Sequence, residues 1–297
     1  MRPGAGVLRD VDPIAHDLVD ALAQPTIDLA RAALVIARLE YPRLDPGPSL
    51  AELSRLGDLA AVDLGAVGEA PVRERIAALN RLLFDRERFL GNRAHYDDFR
   101  NSCLNVVLER RLGIPISLAV VYIDVARRAG LDVAGVSFPG HFLLRVAGDD
   151  AAAPAVILDP FDAGAELDES GCRALLARAM GDDAPYDPSL MSPCTPRQLV
   201  ARMLNNLKRT YVELRSFQQA YRVTDLLLAA DPTLLAERRD RGLLAYHLDD
   251  YPAALSDLED YVRLNAWADV AAEPDTEERD QIWEHIKALR RRVASMN

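Results

Sequence analysis

A single stretch decides the fold: residues 101–146, NSCLNVVLERRLGIPISLAVVYIDVARRAGLDVAGVSFPGHFLLRV, followed by residues 157–161, ILDPF. Its first half carries two apolar runs at helical spacing, and a glycine follows each run, at Gly113 and Gly130. Glycine just beyond an apolar run favours the end of a helix. The second half and ILDPF are short apolar runs separated by turn residues, which is typical of strands. The stretch therefore predicts two helices followed by strands of a small antiparallel sheet.

Helical sequence flanks this stretch on both sides. Residues 1–96 are rich in alanine and leucine at helical spacing, and a proline-rich joint at 185–196, PYDPSLMSPCTP, precedes a helical C-terminal part. We therefore predict a helical N-terminal region over 1–96, a core domain over 97–188 and C-terminal helical repeats over 189–297. With the strands of the core, this order predicts the α+β fold class.

The C-terminal part repeats with a period of 34 residues. Matching positions are Leu214 and Leu248, Phe217 and Tyr251, Ala220 and Ala254, and Leu227 and Tyr261. A 34-residue period, with alanine at the tight crossing of two helices and an aromatic residue just before it, is the tetratricopeptide pattern. Paired helices of this kind form a groove, which predicts a protein or peptide partner. Two repeats could instead simply support the neighbouring domain, since a free-standing array needs about three.

The charge balance argues against nucleic acid as a direct partner. Among 297 residues, Lys and Arg number 35 and Asp and Glu number 46, so the formal net charge is −11 and the pI is about 5.0. An acidic chain is poorly suited to binding phosphate backbones. No apolar stretch approaches the ~20 residues of a membrane-spanning helix. We therefore expect neither nucleic-acid nor membrane contact.

The cysteine and histidine patterns argue against disulfide bonds, metals and cofactors. The three cysteines are odd in number and form no CxxC pair; they are Cys103, Cys172 and Cys194. This usage indicates reduced thiols and a cytoplasmic location. The sequence contains no HExxH, GxGxxG or GxxxxGKS/T motif. We therefore expect no metal site and no cofactor.

Three residues are candidates for catalysis: Ser117, His141 and Asp159. His141 lies at the start of one predicted strand and Asp159 at the end of the next, and adjacent antiparallel strands place such ends side by side. A carboxylate beside an imidazole fixes its tautomer and stabilises its protonated form. Ser117 is predicted to open the second helix, after an extended link at 114–116. Backbone N–H groups at a helix start favour negative charge, so Ser117 is the candidate nucleophile.

Each candidate also has a structural interpretation. Serine is a favoured N-cap, so Ser117 could serve only to complete the first helical turn. His141 could be a hydrogen-bonded strand residue, and Asp159 precedes a proline, which is an ordinary turn signal. Cys103 shares the helix face of Val107 and is predicted to lie in the core. Asn101 belongs either to a polar network beneath the site or to a solvated helix face.

The same residues resemble the SirB type of transglutaminase-like protein, in which this domain precedes C-terminal tetratricopeptide repeats. The signatures are GIPISL, FPGHF and DPF, and the resemblance extends from the helix at 30–42 to the second repeat. It implies a helical N-terminal region, a transglutaminase-like (papain-like) core with a small antiparallel sheet, and helical repeats. Members are commonly labelled regulators of gene expression.

The resemblance also assigns the candidate site. The wider transglutaminase and papain-like architecture uses a cysteine at a helix start, followed by histidine and aspartate on neighbouring strands. By that resemblance, His141 and Asp159 match the histidine and the aspartate, and Ser117 stands where the cysteine belongs. A thiol, with a pKa of about 8.5, can be ionised by a helix N-terminus and an imidazolium. A serine hydroxyl instead needs His141 as general base and a complete oxyanion hole.

Three functions follow as hypotheses. The leading one is a cytoplasmic regulatory or scaffolding protein that keeps the transglutaminase-like site without its cysteine, binds a peptide or side-chain amide there, and carries peptide-binding repeats. The second is a serine-dependent acyl transferase or amide hydrolase, with Ser117 as nucleophile, His141 as base and Asp159 orienting His141. The third is a repeat adaptor in which the core domain is only a spacer.

Overall fold

The computed structural model of the chain describes residues 12–150, 152–268 and 276–295. It divides into two compact units. One unit is Pro25–Leu214, and the other combines the described residues of Met1–Gln24 with those of Arg215–Asn297. Within the described residues, no helix has both the length and the apolar character needed to cross a membrane. The boundaries expected at 96/97 and 188/189 stay predictions.

The chain is mainly helical. In chain order, its helices and strands are α1 (Pro13–Ala23), α2 (Leu29–Ala37), α3 (Gly47–Val67), α4 (Val72–Asn80), β1 (Leu90–Gly91), α5 (Leu104–Arg110), β2 (Leu112–Gly113), α6 (Pro115–Arg128), β3 (Val133–Val136), β4 (Leu143–Val146), β5 (Val156–Asp159), β6 (Ala165–Leu167), α7 (Glu169–Met180), α8 (Pro196–Glu213), α9 (Phe217–Ala230), α10 (Leu235–His247), α11 (Tyr251–Ala268) and α12 (Thr276–Ala294). Two short 3₁₀ segments matter for the site, Phe99–Ser102 and Pro160–Asp162.

The larger sheet of the Pro25–Leu214 unit is an antiparallel meander, with strand order β3-β4-β5-β6, and β1 pairs with β2 in parallel. Val136 pairs with Leu143, Leu144 with Leu158, and Asp159 with Ala165. The predicted order of two helices followed by antiparallel strands is therefore confirmed. The first apolar run contains two strands, because the Pro139-Gly140 pair turns the chain between β3 and β4.

Helix α6 forms the centre of this unit. It contacts α2, α3, α5 and α8 as well as strands β3 and β4. Its residues without solvent exposure are Ala119, Val120, Tyr122, Val125 and Ala126. A buried carboxylate on this helix, Asp124, accepts hydrogen bonds from Arg127 at 3.0 Å and from Arg128 at 2.6 Å. These partners compensate the charge that burial would otherwise disfavour.

Helix α6 begins two residues earlier than the sequence predicts. Ile114 is the N-cap, with φ −96° and ψ 168°, Pro115 is the first helical residue and Ser117 is at N3. The prediction that Ser117 opens the helix after an extended link at 114–116 is wrong. The reason is that proline suits the first helical position, because its φ is fixed and it has no N–H to satisfy. Proline also holds the residue before it in the extended region.

The 34-residue period appears directly in the second unit. Helix α9 begins at Phe217 and α11 at Tyr251, and the turns before them contain Arg215 and Asp249 with positive φ of 56° and 60°. The predicted crossing residues Ala220 and Ala254 have no solvent exposure. Helix α12 closes the array with an apolar stripe that packs beside Ala254; the stripe consists of Ile282, Ile286 and Leu289. The tetratricopeptide prediction is thus confirmed.

Candidate functional site

The imidazole of His141 and the carboxylate of Asp159 form a hydrogen-bonded pair. His141 Nε2 lies 2.9 Å from Asp159 Oδ1, and the two side chains are 15% and 10% exposed. An ionised carboxylate only accepts hydrogen bonds, so Nε2 donates and Nδ1 carries the lone pair of the neutral ring. Among the described residues, no group forms a hydrogen bond with Nδ1. The pair therefore presents an oriented imidazole whose second nitrogen has no hydrogen-bond partner among these residues.

A tight turn positions His141. The His141 N–H donates to the carbonyl of Phe138 at 3.1 Å, with Pro139 and Gly140 between them. Gly140 has φ +66°, and proline followed by a residue of positive φ is the arrangement of a type II turn. A Cβ at Gly140 would also lie 2.5 Å from the Cβ of Ala179. His141 is thus the last residue of the turn and lies two positions before β4. The sequence predicts it at the start of the strand.

The carboxylate of Asp159 is fixed by its own chain. Asp159 ends β5, and its Oδ1 also accepts the Phe161 N–H at 2.8 Å. The backbone after it closes a turn in which the Gly164 N–H donates to the Asp159 carbonyl at 2.8 Å. The side chain of Asn80 donates to the Gly164 carbonyl at 2.9 Å and accepts from the Tyr122 hydroxyl at 3.0 Å. Helices α4 and α6 therefore hold the turn that presents the carboxylate.

An aromatic ring links the pair to a neighbouring loop. The ring of Phe161 meets His141 edge-on at a centroid distance of 6.2 Å and Tyr96 edge-on at 5.8 Å. The guanidinium of Arg93 lies 4.9 Å from the centre of the same ring. A Cβ at Gly91 would lie 2.5 Å from the Phe161 ring, so glycine permits this close approach. Phe161 belongs to the DPF signature that the sequence singles out. Tyr96 belongs to no such motif, and its place beside Phe161 is not predicted from the sequence.

The hydroxyl of Ser117 is bonded to backbone groups. It accepts the Ile114 N–H at 3.1 Å and lies 2.6 Å from the Asn101 carbonyl, to which it donates its single proton. Ser117 is 1% exposed, and a Cβ at Gly113 would lie 2.7 Å from its Oγ. No hydrogen bond joins Ser117 to His141 in the part of the chain that the structure describes. The structure thus brings His141 and Asp159 together and gives Ser117 the contacts of a structural residue.

Asn101 lies at the centre of a polar network beneath the loop after β1. Its side chain accepts from Asn92 Nδ2 at 2.9 Å and donates to the carbonyls of His95 at 2.7 Å and Tyr96 at 3.2 Å. Asn101 has no solvent exposure. Of the two interpretations that the sequence leaves open, the buried network is the one observed. Ser117 and Asn101 together hold the loop that carries Tyr96.

The cysteines lie in apolar surroundings. Cys103 is 1% exposed, packs with Ala37 and Val106, and places its sulfur 3.7 Å from the Phe99 carbonyl. Burial, with smaller contributions from Glu40 and Asp98, raises the pKa of the Cys103 thiol to about 12. Burial also raises the pKa values of the other two thiols, Cys172 and Cys194. Cys103 is therefore a core residue, as the sequence predicts. In the described residues, no three His, Cys, Asp or Glu side chains converge as metal ligands would.

Two family models match the chain. Residues 49–205 match the transglutaminase-like superfamily, and residues 207–287 match a tetratricopeptide repeat. The first match contains the strands, α6 and the His141–Asp159 pair. The second contains α9, α10 and α11. The chemistry-bearing pair and the repeats thus fall in separate matched regions.

Curated relatives resemble most of the chain. A UPF0162 protein of Xylella fastidiosa strain Temecula1 is 37% identical over 267 residues, which is 89% of this chain and 90% of that protein. Protein SirB1 of Salmonella typhimurium is 28% identical over 211 residues, 71% of this chain and 77% of its own. Human F-box only protein 21 is 31% identical over 184 residues, 59% of this chain but 28% of that longer protein. No solved structure matches.

Proposed function

Since this chain belongs to the transglutaminase-like superfamily and carries tetratricopeptide repeats, we propose that its transglutaminase-like domain binds a peptide or side-chain amide at the His141–Asp159 pair without acylating it. In this proposal, the protein is a cytoplasmic regulator or scaffold. Its transglutaminase-like domain recognises one ligand, and its repeats recognise a partner.

The hydrogen bonding of Ser117 supports the binding role most directly. For acyl transfer, the hydroxyl must give its proton to a base as it attacks. Here the proton is held by the Asn101 carbonyl at 2.6 Å, in a position that is 1% exposed. Turning the hydroxyl away would leave that carbonyl and the Ile114 N–H without their partner, and each buried unsatisfied group costs ~1–3 kcal/mol. These two contacts of Ser117 therefore support a structural role for it.

The His141–Asp159 pair supports recognition of an N–H donor. Asp159 fixes the ring so that the lone pair of Nδ1 is available as an acceptor. The ring of Phe161 lies edge-on beside the imidazole and, at 9% exposure, makes the surroundings of His141 apolar. A peptide N–H or a side-chain amide could donate to Nδ1 in these surroundings. The second function in the proposal belongs to the repeats, where the family match over residues 207–287 supports binding of a protein segment.

Peptide selection with variants of the full chain tests the binding proposal. A displayed library of random peptides is selected on the native chain, and the affinity of each selected peptide is measured on His141→Gln and Ser117→Ala. Because His141 is the recognition group, His141→Gln is expected to weaken binding by about tenfold or more. Ser117→Ala is expected to retain the affinity. Equal retention in His141→Gln would contradict recognition at this pair and would place the selected peptides on another surface.

A further inference from the structure

Arg202 has no counter-charge within the described part of the chain. It lies on α8, and its Nε is out of contact with solvent and forms no hydrogen bond with any described residue. Burial lowers the pKa of Arg202, and repulsion from Arg209 lowers it further, while Tyr96 opposes the change. Among the described residues, no carboxylate contributes to this balance. A partly buried cation without a partner is unfavourable unless an anion compensates it.

Arg209 lies near Arg202 on the same helix face. The two residues are seven positions apart, which is two helical turns. Arg209 Nε lies 3.7 Å from a carboxylate oxygen of Glu213, and the two side chains are 54% and 51% exposed. An exposed pair of that length contributes little. The two arginines therefore carry more positive charge than Glu213 neutralises.

The Tyr96 hydroxyl connects these arginines to the candidate site. Burial raises the pKa of Tyr96, with a smaller contribution from the Asp97 carboxylate. Arg209 and Arg202 oppose that shift, Arg209 partly by hydrogen bonding to the phenol. The Tyr96 ring also contacts the Phe161 ring, at a centroid distance of 5.8 Å. The Phe161 ring in turn contacts the His141 imidazole at 6.2 Å. The rings of Tyr96 and Phe161 thus form a chain of contacts between the arginines and the imidazole.

We propose that Arg202, Arg209 and the Tyr96 hydroxyl form an anion subsite, which binds an oxyanion carried by the same peptide that reaches His141. This inference rests on the proposed binding function and names its ligand as an acidic or phosphorylated peptide. Guanidinium groups bind carboxylate and phosphate through paired N–H donors. The phenol hydroxyl supplies a further donor. The chain as a whole is acidic, with a net charge of −11. Because Arg202 and Arg209 form a local excess of positive charge on this acidic chain, the subsite attracts anions selectively.

Nuclear magnetic resonance of the arginine Nε–Hε groups tests the subsite in the full chain. The probes are inorganic phosphate, acetyl-glutamate amide and acetyl-glutamine amide, each added at constant ionic strength with sodium chloride. The Arg202 and Arg209 signals are expected to shift and saturate with phosphate or the glutamate probe. The neutral glutamine probe is expected to bind about tenfold more weakly, because it lacks the charge that pairs with guanidinium.

Matched variants assign the effect to the subsite. Arg202→Gln removes an uncompensated cation, so the chain is expected to remain folded while phosphate or glutamate binding falls about tenfold. Arg73→Gln is the control, since Arg73 is exposed and already paired with Glu166 at 2.6 Å. Tighter binding of phosphate than of the glutamate probe identifies a phosphorylated ligand, and the reverse order identifies an acidic one; both outcomes support the subsite.

Two results would overturn the subsite. One is equal affinity for the glutamate and glutamine probes. The other is a shift of the Arg202 and Arg209 signals that never saturates, or a shift of the Arg209 signal that Arg202→Gln leaves unchanged. Neither result bears on the proposed binding function, because that function is tested by the response of selected peptides to His141→Gln. Conversely, the selected peptides could bind His141→Gln as tightly as the native chain while anions still bind saturably at Arg202. That result would contradict the binding role of His141 and leave the anion subsite supported.

Discussion

The N-terminal end of α6 and the ends of strands β4 and β5 carry polar groups of the same candidate site. These groups differ in their exposure and in how fully their hydrogen bonds are satisfied. At the helix end, Ser117 is 1% exposed, and its hydroxyl is used by two backbone groups. At the strand ends, the side chains of His141 and Asp159 are 15% and 10% exposed, and Nδ1 of the imidazole is without a partner in the described part of the chain.

This difference distinguishes a residue that stabilises the fold, Ser117, from residues that are accessible to a ligand, His141 and Asp159. A buried polar group is stable because neighbouring groups satisfy it, and the same partners withhold it from a substrate. A partly exposed group with one hydrogen bond still available can bind a ligand at little structural cost. The comparison therefore predicts that changes at the helix end reduce stability, and that changes at the strand ends reduce binding.

The largest expected effect on stability comes from replacing Asn101, the buried centre of the polar network beneath the loop after β1. Asn101→Ala removes the acceptor of Asn92 Nδ2 and the side-chain donor to the carbonyls of His95 and Tyr96. It is expected to lower the free energy of unfolding by about 3 kcal/mol. Urea unfolding measures it. His141→Ala, on the open side, is the control and should cost about 0.5 kcal/mol. Similar losses in both variants would contradict the difference between the two regions.

The next effect concerns Gly91, where the loop of the helix end approaches the strand end. A Cβ at this position would lie 2.5 Å from the Phe161 ring and 2.6 Å from the Phe161 carbonyl oxygen. Gly91→Ala is therefore expected to lower stability by about 2 kcal/mol. Gly65→Ala is the matched control, because Gly65 is inside α3 and a Cβ there meets nothing within 4 Å. That control should raise stability by up to about 1 kcal/mol, and the same sign in both variants would argue against the steric account.

Ser117→Ala comes third. It removes the donor of the Asn101 carbonyl and the acceptor of the Ile114 N–H, and is expected to lower the free energy of unfolding by about 1.5 kcal/mol. Peptide affinity should not change, because Ser117 contacts only backbone groups. Thermal unfolding and peptide titration on one preparation check both parts. A variant with native stability that no longer binds peptide would reverse the assignment of Ser117.

The smallest effect depends on pH and concerns the residues behind the helix end. Arg111, which precedes β2, pairs with Glu52, and Glu52 also receives hydrogen bonds from Arg55 at 2.8 and 2.9 Å. Hydrogen bonding from Arg55, with further help from Arg111, lowers the pKa of Glu52 from 4.5 to about 2. A lowered carboxyl pKa stabilises the fold above its unfolded value, and this stabilisation disappears as the pH falls from 4.5 towards 2.

Glu52→Gln is therefore expected to cost about 1 kcal/mol at pH 7, a value reduced for partial exposure, and nothing near pH 2. Chemical unfolding at a series of pH values measures the difference. Glu169→Gln is the control, since Glu169 and its partner Arg173 are 64% and 54% exposed. A cost for Glu52→Gln that stays constant across this pH range would contradict the role of its charge.

Features encoded by neighbouring residues could be predicted from the sequence. The helical runs, the closing glycines and the 34-residue period depend on short-range patterns, and the structure confirms the fold class and repeats. The positions of His141 and Asp159 are also encoded locally. Pro139 and Gly140 form the turn before His141, and the Asp159 side chain caps the following turn at Phe161 N. Such turns are specified by the residue types within them.

Features that depend on distant residues could not be predicted in the same way. The Ser117 hydroxyl donates to Asn101, sixteen positions earlier, and no local pattern predicts that contact. A pattern of serine before an apolar run fits a nucleophile and a helix residue equally well. Phe161 meets Tyr96 across 65 positions, and the arginines near Tyr96 are more than one hundred positions away. Their roles follow from the packing of α8 and the loop after β1.

The structural role of Ser117 is tested most directly by the reaction of the full chain with a serine-directed fluorophosphonate. Peptide mass spectrometry maps the labelled residues. We expect no adduct at Ser117, because its proton is held by the Asn101 carbonyl and its Oγ is buried. Urea-unfolded chain serves as the control for background labelling. An adduct on Ser117 in the folded chain that disappears in His141→Ala would contradict the account, since it would show that the imidazole activates this hydroxyl.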